Sequence, residues 1–339
     1  MAVRTTVVGS WWWPTEFSGD LRRFHDDELD DAAGGRVLAQ SAAAAIDQQR
    51  RLGLDEWTGG EYFTDNFVNH IQKMLSGIVI DREGEHELFD YDDVPHARIT
   101  GEIDAPNGLG YLAAYLRESQ LPGGVNKATV VTPMEITVHE QDQAQLRDPQ
   151  LPRVTALVNA EIRGLAQAGC PHVQLDAPAI GIAINMGQMT SQAAAEMIAG
   201  CFEGVTGTVR GLHICNGNLK GRPASAVLRN ATWLELLQRL DGVIDVANLE
   251  CSYFSEWLER DAFRDLPSSM QFAAGIVDEA NYWVEPVSKI RARAADWARV
   301  VGEERLWLSP SCGFGRHPGR DQPVLEAKVA NMVEAGATL

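Results

Sequence analysis

Short apolar runs recur along the chain, and each is followed by a polar or glycine-bearing tip and then by a longer amphipathic stretch. Eight such runs have the composition of β-strands: TTVVGS (5–10), DEWTGGE (55–61), KATVVTP (127–133), HVQLDAP (172–178), GLHICNG (211–217), IDVANLEC (244–251), MQFAAGIVD (270–278) and RLWLSPSCG (305–313). Helical periodicity marks segments between them, at 32–52, 151–168, 191–207, 224–240 and 287–301. Strands that alternate with helices of this length predict parallel βα units.

Eight βα units predict an α/β fold of the closed (β/α)8 barrel type, the TIM barrel. The alternative is an open doubly wound sheet, but none of the eight runs leads into the G-x-G-x-x-G turn that marks its nucleotide-binding form. No low-complexity linker or internal repeat interrupts the chain, so residues 1–339 are expected to form one domain. Extra elements are expected in the N-terminal third, at 62–126, where the Asp-, Glu- and Gly-rich stretch 76–105 predicts an insertion or hairpin.

The charge balance narrows the class of partner. The 339 residues carry 47 Asp and Glu against 29 Lys and Arg, a net charge of −18, which disfavours nucleic acid and anionic membrane surfaces as partners. The opening MAVRTTVVGS lacks the apolar core of a secretory signal, and no apolar run approaches the ~18–20 residues of a membrane helix. Five cysteines do not make a disulfide scaffold. These features predict a cytoplasmic protein with reduced thiols.

Chemically active side chains stand at most of the predicted strand ends. In a barrel these ends share one face, which is where catalytic groups collect. The residues concerned are Ser10, Glu61, Asp176, His213, Cys215, Glu250, Cys251, Asp278 and Cys312. His213 and Cys215 are two positions apart, so their side chains share one face of a strand. An imidazole, thiolates and a carboxylate from neighbouring strands form a set suited to tetrahedral Zn²⁺.

Structural roles stay open for some of the cysteines and carboxylates. Cys251 alternates to the strand face opposite the preceding glutamate, which favours a packed core thiol, and Cys170 and Cys201 fall in or near helices. Asp176 fits a ligand-binding group or the cap of the following helix equally well. Glu61, after two glycines, has the same two interpretations.

Three consecutive tryptophans, Trp11 to Trp13, follow the first predicted strand. In one interpretation, Trp11 and Trp13 face the barrel mouth and bind a flat donor, or a sulfonium or quaternary ammonium group by cation–π attraction. In the other, the indoles cover the barrel rim as apolar packing. The first interpretation predicts that Trp→Ala changes weaken donor binding without changing the zinc content.

Several separate motifs carry a resemblance to a known family. The chain has H-x-C at 213–215, a glutamate at 250, and S-C-G at 311–313 after LWLSP. It also has TTVVGS, GGEYFTDNFVNHI (59–71), VQLDAPA (173–179), GIVD (275–278) and VLEAKVANMVEAG (324–336). In this order the motifs resemble the zinc-binding C-terminal barrel of cobalamin-independent methionine synthase. They are similar also to its single-barrel relatives, the zinc-dependent alkyl transferases that act on thiols.

The resemblance implies a metal site and a substrate site. The implied Zn²⁺ ligands are His213, Cys215, Glu250 and Cys312. Asp176, Glu61 and the Val8–Ser10 segment would hold an amino-acid thiol, and Asp278 would be a further catalytic residue. Zn²⁺ deprotonates a bound thiol, which stays a soft nucleophile toward an electrophilic carbon. A catalytic zinc keeps an exchangeable position, and Glu250 is the ligand expected to exchange.

Two departures from the family pattern bear on the donor. Ala280 occupies the place of the histidine in the family's D-x-H, and Ala177 that of the glutamate in D-E-P-A. Methyl-folate needs protonation to leave, so the missing histidine disfavours it as donor.

The expected function is zinc-dependent transfer of a methyl or small alkyl group to a thiol such as homocysteine, which gives methionine. The expected donor is a methyl-corrinoid on a partner protein or a small onium compound. One alternative keeps the zinc but opens an epoxide with a small thiol of the coenzyme M type. Another is a structural zinc site in a barrel without turnover, since four protein ligands can close a zinc site.

Overall fold

The computed structural model describes residues 3–64, 69–81, 96–137, 150–217, 230–252, 259–315 and 322–339. The strands in these ranges are β1 (Arg4–Thr5), β2 (Ser76–Asp81), β3 (His96–Asp104), β4 (Lys127–Val131), β5 (His172–Asp176), β6 (Val209–Ile214), β7 (Val246–Glu250), β8 (Gln271–Val277) and β9 (Leu306–Pro310). Seven of them form one curled sheet in the order β1-β9-β8-β7-β6-β5-β4, in which every neighbouring pair is parallel. The α/β fold predicted from the βα alternation is therefore confirmed.

Helices connect the strands and cover the outer face of the sheet. They are α1 (Ser18–His25), α2 (Asp31–Arg51), α3 (Asn69–Met74), α4 (Tyr111–Glu118), α5 (Pro133–Thr137), α6 (Leu151–Gln167), α7 (Pro178–Asn185), α8 (Ser191–Cys201), α9 (Trp233–Arg239), α10 (Val287–Val301) and α11 (Gln322–Ala337). Side-chain caps stabilise the N-termini of α2 and α8. The Asp30 side chain accepts from the Ala33 N–H, and the Thr190 hydroxyl accepts from the Ala193 N–H. Within the described ranges, no helix combines the length and the apolar character needed to cross a membrane.

The second predicted strand, DEWTGGE (55–61), forms no regular ladder, and this prediction was wrong. Its backbone instead makes isolated hydrogen bonds to both edges of the curled sheet. The Glu56 N–H donates to the Thr5 carbonyl at 3.2 Å, and the Asn126 N–H donates to the Trp57 carbonyl at 3.4 Å. Further along, Gly60 (φ +88°) turns the chain out of an extended path. The segment thus lies between the edge strands β1 and β4 without joining the sheet.

The insertion predicted in the N-terminal third contains a hairpin. Strands β2 and β3 pair antiparallel, with Asp81 opposite His96, as a separate two-stranded sheet. Three predicted helical segments coincide with α2, α6 and α10 to within one residue, and α8 begins where the segment 191–207 does but ends at Cys201. The segment 224–240 contains α9, while its first part, 224–229, lies outside the described residues.

A polar layer crosses the interior of the curled sheet below the strand ends. Asn248 donates through Nδ2 to Ser309 Oγ at 3.2 Å and to Gln174 Oε1 at 3.4 Å. Gln174 in turn donates through Nε2 to the Val8 carbonyl at 2.9 Å and to Asp176 Oδ1 at 2.7 Å. Asn248, Ser309 and Gln174 are fully or almost fully buried. Because buried polar groups need partners, this network fixes the positions of the side chains above it.

Candidate metal centre and active site

Three side chains that the sequence predicts as metal ligands converge at the carboxyl ends of two strands. His213 lies in β6, Cys215 directly follows β6, and Cys312 follows β9. One ligand atom from each residue lies within 4.8 Å of the other two. The two Sγ atoms are 3.9 Å apart, close to the spacing of about 3.8 Å for two thiolates on one tetrahedral Zn²⁺. The three donors therefore have the spacing of a metal site.

The imidazole of His213 is oriented as a metal ligand. Its Nδ1 lies 3.2 Å from the Asn248 carbonyl, which fixes Nδ1 as the protonated nitrogen and leaves the lone pair on Nε2. Nε2 is buried and has no hydrogen-bond partner among the described residues. Burial, together with the positive charge of Lys127, lowers the pKa of His213 to about 3. A neutral imidazole with an unused buried nitrogen fits a metal.

Both thiols lie where only a cation would favour their ionised form. The hydrogen bond that it shares with Cys312, burial and the nearby Glu250 raise the pKa of Cys215 well above its ordinary value. The same hydrogen bond lowers the pKa of Cys312, but burial and the charges of Glu279 and Glu250 outweigh it, so this pKa is also raised. A bound Zn²⁺ would reverse this balance, because it deprotonates coordinating thiols. The chemistry of the donor set therefore fits Zn²⁺.

Glu250, the fourth predicted ligand, is turned toward a different partner. It ends β7 and is buried, but it does not belong to the three-residue group of converging donors. Its Oε2 accepts from the backbone N–H of Asn216 at 2.7 Å and from Asn216 Nδ2 at 3.2 Å. Burial and the neighbouring Glu279 and Asp278 raise its pKa well above the ordinary range despite these two donors. Its role as a ligand stays a prediction.

Two carboxylates lie beside the metal-ligand cluster. Asp176 ends β5, where it is paired in register with His213 of β6, and Gln174 holds one of its oxygens. Glu61 accepts a hydrogen bond from the Thr129 hydroxyl. Burial raises the pKa of both carboxyls, and the charge of Glu61 raises that of Asp176 further. The nearby positive charge of Lys127 only partly offsets these shifts, so the two carboxylates form a site that favours a further cationic group.

The backbone around Glu61 explains how its side chain reaches the strand ends. Glu61 has φ +61°, a left-handed conformation that is uncommon outside glycine. The Trp11 N–H donates to the Gly60 carbonyl at 3.2 Å, which ties this turn to the chain after β1. A Cβ at Gly9 would meet the Glu61 carboxylate and would lie 2.9 Å from Thr129 Cγ2. The absence of a side chain at Gly9 therefore leaves the space that the Glu61 carboxylate occupies beside Thr129.

The Val8–Ser10 segment contacts residues beside both the carboxylates and Cys312. The Val8 carbonyl accepts from Gln174, the residue that also holds Asp176. Ser10 Oγ accepts from the Gly315 N–H at 3.1 Å, and a Cβ at Gly313 would collide with it. The Val8 carbonyl and the Ser10 hydroxyl thus have partners within the protein, and binding of a substrate by this segment stays a prediction.

The tryptophans after β1 differ in exposure. Trp11 and Trp12 are buried, stack on each other at 3.9 Å between ring centroids, and pack edge-on against Phe314. The Trp11 indole N–H donates to Gln48 at 2.8 Å. Trp13 is only partly buried. Packing accounts for the position of Trp11, while a contact of Trp11 or Trp13 with a ligand stays a prediction.

Asp278 organises the loop that follows β8. Its side chain accepts from the Ala280 N–H and from Asn281 Nδ2, and its carbonyl accepts from Lys328 at 2.8 Å. These contacts shape the loop, and a catalytic role for Asp278 stays a prediction. The three remaining cysteines, Cys170, Cys201 and Cys251, are buried in the apolar core.

Sequence reasoning missed two residues that contact the predicted ligands or their neighbours. Asn216 holds Glu250, and buried Glu279 hydrogen-bonds the hydroxyl of Ser311, the residue before Cys312. Burial is the main cause that raises the pKa of Glu279 to about 7. The DEA sequence at 278–280 contained one available signal, since a second carboxylate directly follows the predicted one. For Asn216 no pattern in the sequence indicated a contact with a residue 34 positions away.

The sequence profile of the cobalamin-independent synthase catalytic domain matches residues 3–338. The chain belongs to this family. Its motifs had predicted the membership, which is thereby confirmed. Curated relatives include the 5-methyltetrahydropteroyltriglutamate–homocysteine methyltransferases of Nitratidesulfovibrio vulgaris and Yersinia enterocolitica. Each is 24% identical, over 98% and 99% of this chain respectively. The chain spans only 41% and 43% of the length of these relatives.

Solved structures share the fold. A B12-independent methionine synthase from Shewanella sp. W3-18-1, in complex with selenomethionine, superposes with a TM-score of 0.80 at 17% identity, over 100% of this chain and 97% of the other. A putative B12-independent methionine synthase from Listeria monocytogenes gives 0.69 at 19% identity, over 99% and 98%. At these identities the superpositions support the family's barrel architecture for this chain.

Proposed function

We propose that this family member is a zinc-dependent transferase that moves a methyl or small alkyl group to a thiol, with homocysteine as the acceptor. The observation that carries the proposal is the convergence of His213, Cys215 and Cys312 beside the carboxylates of Asp176 and Glu61. The first set fits a thiophilic cation, and the second fits an ammonium group. An amino-acid thiol has both groups that these two sets would bind.

Two sets of side chains would have separate roles in the reaction. A Zn²⁺ held by His213, Cys215 and Cys312 would supply an acceptor thiol that is ionised and still nucleophilic. Asp176 and Glu61 would hold the ammonium group and so direct the sulfur toward the donor. In the transfer, the sulfur–carbon bond forms as the bond from the alkyl carbon to the donor breaks. The donor keeps that electron pair, and the thiol proton is released.

The donor that we propose is a small onium compound or a methyl-corrinoid on a partner protein. Both already carry an activated methyl group, so neither needs a proton to leave. The curated relatives are named for a methyl-folate donor, which does need one. Ala280 cannot supply that proton, and in the described loop its N–H is used by Asp278.

The number of converging donors favours a catalytic zinc site over a purely structural one. A structural site is closed by four protein ligands, whereas a catalytic site keeps a position for substrate. Among the described residues, three donors converge, and the predicted fourth, Glu250, is hydrogen-bonded to Asn216 instead. An exchangeable fourth position is what an acceptor thiol requires.

Substitution of the thiols tests the proposal. Cys215→Ser and Cys312→Ser should each reduce bound zinc well below one per chain and abolish thiol alkylation, because a hydroxyl is a poor ligand for this metal. Metal analysis and product analysis with homocysteine and a sulfonium donor provide the readouts. Cys170→Ser is the matched control, because its hydroxyl can keep the contact that Cys170 Sγ makes with the His172 carbonyl. Full zinc content and unchanged turnover in both ligand variants would contradict the proposal.

A further inference from the structure

Asn216 connects the metal-ligand cluster to the Glu250 carboxylate. It directly follows Cys215 and is completely buried. Its backbone N–H and its side-chain Nδ2 both donate to the same oxygen of Glu250, at 2.7 and 3.2 Å. A carboxylate buried without donors would be strongly destabilised, so two donors on one oxygen stabilise this orientation of Glu250.

The orientation of the Asn216 amide is itself set by neighbouring residues. Asn185, the last residue of α7, donates through Nδ2 to Asn216 Oδ1 at 3.2 Å. Thr232, just before α9, donates its hydroxyl to Asn185 Oδ1 at 2.6 Å. Each group in this series donates to the next, from Thr232 through Asn185 and Asn216 to Glu250. Because its oxygen faces Asn185, the Asn216 amide presents its N–H group to the carboxylate.

The geometry points to Asn216 as a positioning residue that holds Glu250 detached from the metal and so leaves a coordination position for the acceptor thiol. This inference rests on the proposed function. Glu250 then has two competing partners, the cation and the two donors of Asn216. The stronger the hydrogen bonds from Asn216 to Glu250, the more readily a thiol replaces this carboxylate as a ligand of the metal.

Asn216→Ala tests this inference, because it removes the Nδ2 donor and keeps the backbone N–H. Glu250 should then stay on the metal for longer. Zinc release to an excess of chelator should slow by roughly tenfold, which corresponds to the loss of one hydrogen bond to a charged group. The homocysteine concentration needed to replace an oxygen ligand by sulfur, followed by X-ray absorption, should rise by a similar factor.

The sign of the effect separates positioning from structural damage. Damage to the site would speed zinc release, whereas loss of the competing donor slows it. Asn185→Ala, which removes the donor to Asn216 Oδ1, should slow release in the same direction but by only about threefold, since Nδ2 itself remains. This second variant tests the inference even if Asn216→Ala folds poorly. Asn159→Ala is the matched control, because Asn159 of α6 donates to the carbonyls of Cys201 and Glu203, at and just after the end of α8.

A second control removes the carboxylate whose competition is proposed. In a Glu250→Gln background, Asn216→Ala should leave the release rate unchanged, since the competing ligand is absent. A wild-type protein that binds no zinc would overturn the proposed function. Wild-type protein that binds zinc, combined with Asn216→Ala and Asn185→Ala variants that release it at the wild-type rate or faster, would overturn this inference alone.

Discussion

At the scale of single residues, the barrel keeps several carboxyls where their charged form is disfavoured. Glu118 of α4 is buried, and its carboxylate fills the space that a side chain at Gly59 would occupy. Burial raises its pKa from 4.5 to about 7, although an ion pair with Arg117 at 3.8 Å offsets part of the effect. The negative charge of Glu61 acts in the same direction as burial.

Glu118 makes the stability of the fold depend on pH with a definite sign. The folded state holds the proton more tightly than the unfolded chain, so the contribution is fully present below pH 4.5 and is lost as pH rises to about 7. Glu118→Gln, which cannot ionise, should therefore be more stable than the wild type at about pH 8, by up to roughly 3 kcal/mol. Urea unfolding across the pH range measures this difference.

Unfolding at low pH tests the same argument, because the extra stability of Glu118→Gln over the wild type should disappear toward about pH 4. Glu203→Gln, at an exposed position on the outer surface, is the matched control for the change in net charge. A difference between wild type and Glu118→Gln that stays constant with pH would contradict the burial argument.

At the scale of elements, close approach of neighbouring strands and loops shapes the site. Gly275 of β8 lies between β7 and β9. A Cβ there would be 2.7 Å from the Leu249 carbonyl oxygen and 2.9 Å from Ser311 Cα. Both are backbone atoms, so they cannot turn away as the tip of a side chain would. Leu249 and Ser311 precede Glu250 and Cys312, respectively, so a shift here would reach both predicted ligands.

Gly275→Ala should therefore lower the free energy of unfolding by about 1–3 kcal/mol, as overpacking does in a tight core. It should also weaken zinc binding, because the chain before Glu250 or before Cys312 must move. Denaturant unfolding and chelator competition measure the two effects. Gly35→Ala is the matched control: a Cβ there meets nothing within 4 Å, and alanine within α2 should stabilise the helix by about 0.5–1 kcal/mol. Equal behaviour of both variants would contradict the packing argument.

At the scale of the whole molecule, the metal site joins parts of the chain that are distant in sequence. Cys215 and Cys312 are 97 residues apart, and they meet because β6 and β9 belong to one curled sheet. A cation bound to both side chains stabilises only the folded state, in which they are close. Metal binding is therefore coupled to the stability of the fold.

Zinc at about 100 times its Kd should raise the free energy of unfolding by about 2.7 kcal/mol, or the Tm by about 4 °C for a chain of this size. Thermal unfolding of the metal-free and zinc-loaded protein measures the shift. The Cys215→Ser/Cys312→Ser double variant should show no shift under the same conditions. A wild-type Tm that does not change with zinc would show that Cys215 and Cys312 do not bind the ion in the folded state.

Some features of the site could be predicted because they depend on local geometry. His213 and Cys215 share a face since side chains alternate along a strand, and the structure brings their donor atoms together. The path of 55–61 was mispredicted as a strand because Gly60 and Glu61 adopt left-handed backbone angles that the apolar pattern does not reveal. The partner of Glu250 was missed because a contact between different strands leaves no trace in spacing.

The sequence alone determined the α/β class, the presence of an insertion or hairpin at 76–105, most of the helices and the family, since these follow from periodicity, composition and motifs in a fixed order. Only the tertiary structure decided which donors converge, that Glu250 bonds to Asn216, and that residues 55–57 contact both edge strands through isolated hydrogen bonds without forming a strand. The physical reason is distance along the chain. Periodicity constrains neighbours in sequence, whereas contacts between strands depend on the packing of the whole sheet.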